Sequence, residues 1–193
     1  ELRAIFECSS YTHLINGESD QKLFNIIEEI SIILPEAKFV WLIRDARDVV
    51  ASTTARAWFS DNEYHPDDDN YWLNYWKKYR INGNLCGVYT ADEWLSMSVF
   101  ERNCWYWAYV NETIEKGLSN ISENRKFKIT LPQANNDLNV ILDFIGASKI
   151  DISMNVENAV RKEDSLNKWD EWSDEEKLIY DKHCSVGMNK WYE

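Results

Sequence analysis

The chain has 193 residues, 45% hydrophobic and 28% charged, which is ordinary for one globular domain with a sizeable core. Its formal net charge of -12 repels polyanions and argues against a nucleic-acid partner, so any anion it binds must be met by a local cluster of donors. No apolar run reaches the ~18 residues that span a membrane, no signal peptide is expected, and Cys8, Cys86, Cys104 and Cys184 show no metal-ligand spacing.

Residues 3–8, "RAIFEC", are a short β-prone run followed by a polar loop. From Asp20, Leu23, Ile26, Ile27, Ile30, Ile33 and Leu34 recur at helical spacing until Pro35 stops the pattern. "KFVWLI", 38–43, reads as a strand buried on both faces of a parallel sheet. Arg47 to about Trp58 returns to helical spacing. Strand and helix alternating in this order predict an α/β layered fold with right-handed crossovers. The acidic stretch 60–70 lacks the alternating ligands and turn glycine of a calcium loop and reads as solvated. Residues 71–79 set Trp72, Trp76 and Tyr79 on one helical face, as core or as a ligand contact.

A turn-rich stretch, "RINGNLCGVYT", precedes a long helix predicted from about Asp92 to Leu118. "KFKITL", 126–131, alternates as a strand. Residues 135–146 predict a helix capped by Asn135 or Asn136 and stopped by Gly146. After the polar stretch 147–168, Ser173 and Glu176 form a capping box for a final helix. No internal repeat or linker divides the chain, so one domain over 1–193 is expected. Ten tryptophans and ten tyrosines point to an aromatic core or to a ligand groove. The cysteines fit free thiols in a reducing, cytoplasmic compartment, with two disulfides as the alternative.

The strand at 38–43 runs straight into "RDARDVVAS". At the carboxyl end of a parallel strand, ligands gather beside the first turn of the next helix, where N–H groups and the dipole favour an anion. Arg44 stands at that junction, and its planar fork suits a phosphate. Ser52 follows one or two turns into the helix. Asp48 lies four residues before Ser52 and could orient it. A local Arg44–Asp48 ion pair explains the same charges, and charge pattern alone leaves the two readings open.

"LPEAKFVWLIRDARDVVAS" resembles the 3′-phosphate-binding segment of sulfotransferases that use 3′-phosphoadenosine 5′-phosphosulfate (PAPS). The family pattern is an apolar strand followed by Arg-Asp-Pro-Arg-Asp-Val-x-x-Ser, with Ala46 here in the proline's place. "ERNCWYWAYVNETIEKGL", "KFKITLPQANNDLNVILDFIG" and "CSVGMNKWYE" are similar to the family's central helix, late strand with its helix, and terminal helix. The Tyr-Glu-Asp-Leu usual after that strand is replaced by "LPQANNDL". The resemblance implies a three-layer α/β fold, with a central parallel sheet flanked by helices as in P-loop NTPases, and a helix-rich C-terminal half. It implies that Arg44 and Ser52 hold the 3′-phosphate of PAPS or of its product PAP, with Arg161 and Lys162 closing over it.

"FECSSYTHL", 6–14, resembles a family segment bordering the active site, which makes Glu7 or His13 the candidate general base toward an acceptor hydroxyl. Cys8 falls where many relatives carry lysine. The glycine-containing loop that holds the 5′-phosphosulfate has no counterpart among Gly17, Gly83, Gly87, Gly117, Gly146 and Gly187, so a truncated domain is expected. The expected activity is sulfuryl transfer from PAPS, without a metal, to a hydroxyl of a carbohydrate or other small molecule. A catalytically degenerate relative that binds the nucleotide or a partner is the alternative.

Overall fold

Strands β1 (Phe39–Ile43) and β2 (Lys126–Thr130) pair in parallel, Phe39 opposite Lys126 and Ile43 opposite Thr130. They belong to a computed structural model that describes residues 15–60, 80–149 and 169–192. Helix takes 62% of the described residues. The chain divides into two compact units, residues 1–43 with 110–155 and residues 44–109 with 156–193. Among the described residues no helix is long and apolar enough to cross a membrane.

The first unit holds the sheet. Alternation of side chains puts Phe39, Trp41 and Ile43 on one face and Val40 and Leu42 on the other. Trp41 is buried, and its Nε1 donates to Asn111 Oδ1 at 3.0 Å, on helix α4 (Val99–Leu118). On the opposite face Phe127 stacks on Phe144 at 5.2 Å, in helix α6 (Asn139–Ile145). Each face thus meets a side chain from a helix, and the α/β expectation holds in this coarse form. Burial of β1 on both faces does not. Val40 and Leu42 are 37% and 50% exposed, because the second-face cover runs over β2, where Ile129 is buried.

Basic side chains close the carbonyl ends of this unit's segments. Lys38 Nζ donates to the Phe144 carbonyl at 2.6 Å, at the end of α6, and Lys126 Nζ to the Leu118 carbonyl at 3.3 Å, at the end of α4. Arg125 spans the Ala37 and Leu34 carbonyls at 2.9 and 3.3 Å, just after helix α1 (Ile27–Ile33). The Leu34 and Leu118 carbonyls also accept the Ala37 and Ile121 N–H groups at 2.9 and 3.0 Å, so there the cation uses the second lone pair.

The second unit contains α2 (Ala46–Ala55), α3 (Ala91–Ser96), the first half of α4 and α7 (Asp174–Gly187), which continues into a π-turn, Met188–Tyr192. Its core is aromatic. Trp94, Trp105, Trp107, Trp172 and Trp191 are buried, with Trp94 and Trp105 edge to face at 5.0 Å. For these tryptophans the core explanation holds. Arg102 donates to the carbonyls of Phe59, Trp94 and Leu95 at 2.9–3.0 Å. It thereby fixes a turn in which Ala57 and Phe59 take the left-handed region, φ 55° and 66°.

Two predicted helices are broken. The 92–118 segment separates at Met97, which is extended, and Ser98 Oγ accepts the Glu101 N–H at 3.0 Å to start α4. The 135–146 segment is α5 (Leu131–Asn136), opened by a Thr130–Gln133 capping box, followed by α6. Asn135 and Asn136 thus lie inside α5, and Asp137 Oδ1 receives the Asn139 N–H at 2.9 Å. The Gly146 stop (φ 84°) and the Ser173–Glu176 box stand as predicted. The segments at 3–8, 61–79 and 150–168 lie outside the described residues.

Gly187 ends α7 under two indoles. A Cβ there would meet Trp191 Cε3 at 2.8 Å and Trp107 Cζ3 at 2.9 Å, and both rings are buried. Gly187→Ala is expected to destabilise by about 1–3 kcal/mol through overpacking. Gly146→Ala meets no atom within 4 Å and should cost about 1 kcal/mol from its left-handed backbone alone. Urea unfolding of the two variants, monitored by tryptophan fluorescence, compares them.

Candidate functional site

The junction of β1 and α2 is built around Asp45. Its carboxylate caps the helix, Oδ1 accepting the Arg47 N–H at 2.8 Å and the Arg47 Nε at 3.0 Å, while Oδ2 accepts Arg47 Nη2 at 2.5 Å. This hydrogen bond, opposed by partial burial, raises the Arg47 pKa further above its ordinary value. The Ala46 N–H points to Met188 Sδ at 3.3 Å, and the Val49 N–H to the Asp45 carbonyl at 3.1 Å. First-turn donors that an anion could take are thus partly engaged by the protein itself.

Arg44 stands where strand and helix meet. Its carbonyl accepts the Trp107 Nε1–H at 3.1 Å, which fixes the backbone, while its side chain is 48% exposed. Nε lies 3.9 Å from Asp48 Oδ2 on an exposed carboxylate. The ion pair left open by the charge pattern therefore exists, in a loose form. Exposed pairs of this length contribute about 0–1 kcal/mol, too little to hold Arg44 against a stronger partner.

Ser52 is buried on α2, 8% exposed. Its Oγ accepts a short hydrogen bond from Arg56 Nη1, which also reaches the Ser52 carbonyl at 3.1 Å. Among the described residues no hydrogen bond joins Arg44 to Ser52, and none joins Asp48 to Ser52. Arg56 is the functional-type residue that the sequence reading missed. Its signal was its i,i+4 spacing from Ser52 on a helix. Tyr192, in the π-turn, is the other omission: burial raises its phenol pKa, and the Asp45 and Asp48 carboxylates add to this against Arg47 and Arg44. Glu7, His13, Arg161 and Lys162 lie outside the described residues.

A second polar cluster joins α4 to α7. Glu101 Oε1 accepts from Lys182 Nζ at 2.7 Å and meets His183 Nε2 at 3.1 Å. Burial pushes the Glu101 carboxyl up, but the hydrogen bonds and charges of Lys182 and His183 outweigh it and hold the group below the usual carboxylate range. No group of three or more His, Cys, Asp or Glu among the described residues could hold a metal ion.

With this geometry in hand, comparison of the chain with family models, curated proteins and solved structures finds no match.

The Glu101 cluster has a defined acid signature. A carboxyl whose folded pKa is depressed stabilises above its unfolded value, ~4.3, and loses that contribution as pH falls through the folded value. Glu101→Gln is expected to destabilise by about 1–2 kcal/mol at pH 7. Its deficit against wild type should shrink as pH falls below ~4.3. Paired denaturation curves at neutral and acid pH read this out, and a pH-independent deficit would contradict it.

Proposed function

We propose that this chain is a sulfotransferase-type domain of the three-layer α/β kind, and that the start of α2 takes the 3′-phosphate of PAPS or PAP. The observation that carries this reading is Arg44 at the end of a parallel strand, half exposed and held by one 3.9 Å ion pair. The other described arginines are committed elsewhere, Arg80 over the Trp58 ring at 3.8 Å. Arg47 serves Asp45, Arg56 serves Ser52, Arg102 holds three carbonyls and Arg125 two.

This reading asks for one phosphate group at the start of α2. Arg44 would supply a planar fork and Ser52 a hydroxyl, with Asp48 released from Arg44 when the anion arrives. PAPS, when bound, supplies the sulfuryl group. Glu7 or His13 would take the proton of the acceptor hydroxyl, on a carbohydrate or another small molecule. A second reading, nucleotide binding without chemistry, is favoured by Cys8, which cannot provide the positive charge of the lysine that many relatives carry.

Isothermal calorimetry with PAP tests the phosphate site. Arg44→Ala should weaken binding about 10–100-fold, the loss of a charge-assisted hydrogen-bonded contact. Ser52→Ala should weaken it about 3–10-fold, and Asp48→Asn should tighten it by removing a competing carboxylate. Unchanged affinity in both alanine variants, or no binding by wild type, overturns the assignment. Transfer of label from PAPS to a hydroxyl acceptor separates the enzyme from the binding-only reading.

A further inference from the structure

Cys104, on α4, and Cys184, on α7, face one another in the core of the second unit. Both are free thiols and both are 0% exposed. Cys184 Sγ donates to the Cys104 carbonyl at 3.5 Å, which brings the two residues into contact in the core. They are 80 residues apart in sequence and sit on different helices. We propose that Cys104 and Cys184 form a reversible disulfide that latches α7 to α4.

While α7 is docked, both thiols are shut off from solvent, and desolvation and the neighbouring thiol push the Cys104 pKa up. Oxidation therefore requires α7 to lift. The contacts that resist lifting are Glu101 with Lys182 and His183, Met188 on the Ala46 N–H, and Trp191 against Trp107 at 5.9 Å. Once α7 opens, a low-molecular-weight disulfide such as oxidised glutathione is the co-reactant. One cysteine thiolate attacks a sulfur of that disulfide, forming a mixed disulfide and expelling one glutathione thiolate. The other cysteine thiolate then attacks the protein sulfur of the mixed disulfide and expels the second glutathione. Two electrons pass from the protein to oxidised glutathione, and the two thiol protons go to the released glutathione thiolates. Redocking of α7 buries the new bond, and a reductant reverses the sequence by the same exchange.

A cross-link closing a loop of this length restricts the unfolded chain strongly, by the chain-entropy account. The latched form should unfold about 5–10 °C above the reduced form. The test is to partly unfold the full wild-type chain in oxidised glutathione, refold it, block free thiols and map the digest by mass spectrometry. The expected result is a peptide pair joining Cys104 to Cys184, lighter by two hydrogen atoms, with the higher Tm reversed by dithiothreitol. The link should form equally in a Cys8→Ser, Cys86→Ser double variant and disappear in Cys184→Ser. If both thiols remain free after refolding, if they pair instead with Cys8 or Cys86, or if the linked form melts no higher, the latch does not exist. The mapping uses wild type, so it decides the matter even where a variant fails to fold.

Discussion

An α-helix begins with N–H groups that its own turns cannot reach, and the way α2 meets this constraint organises the second unit. Asp45 supplies one acceptor locally. Met188 supplies another from 142 residues further along the chain. A sulfur can reach Ala46 only if α7 passes into the π-turn, and the turn fits only because Gly187 leaves room for the Trp191 and Trp107 rings. The docking of α7 rests in turn on Glu101. One oxygen of its carboxylate, Oε1, meets both Lys182 and His183 from consecutive positions of that helix. The capping of one short helix thus depends on glycine, aromatic and ionic contacts far along the sequence.

The same arrangement sorts the unit's arginines by what they satisfy. A guanidinium offers five N–H groups in a fixed plane, which suits clustered carbonyls as well as anions. Arg102 spends its fork on three carbonyls, one of them at the left-handed Phe59. A turn with two non-glycine residues at positive φ costs of order 1–3 kcal/mol per residue and persists only when its surroundings hold it. Arg102 lies 43 residues from Phe59 in sequence and provides that hold. Its role is structural, although its position in "ERNCW" gives no hint of that.

Local patterns were legible where the partner is close in sequence. The Ser173–Glu176 box, the Gly146 stop and the two parallel strands all follow from residues within a few positions. Helix breaks were less legible because competing signals overlapped. Ser98 with Glu101 three residues later is a helix-start pattern set inside a continuous apolar periodicity, and the start pattern prevailed. Thr130 and Gln133 did the same ahead of the asparagines. The exposure of Val40 and Leu42 was not legible at all, since an apolar run does not state how far a neighbouring helix extends over it. At the candidate site the sequence marked Arg44 and Ser52. It could not show that Arg56 rather than Arg44 reaches the hydroxyl, because that depends on side-chain paths along α2.

That contact with Arg56 does not remove Ser52 from anion chemistry. A serine hydroxyl has one hydrogen to donate and two lone pairs to accept with. Arg56 is a donor and occupies the accepting side, so on the proposed reading the O–H hydrogen would be the one that meets a phosphate oxygen. Polarisation by the guanidinium makes that hydrogen a better donor. The loose Arg44–Asp48 pair and the Arg56–Ser52 contact then act in one direction: the first leaves a fork that costs little to redirect, the second strengthens the hydroxyl. Against a net charge of -12, which repels any nucleotide at long range, selectivity for an anion has to come from such short-range donors. On the proposed reading, the charge cluster at the end of β1 would supply them.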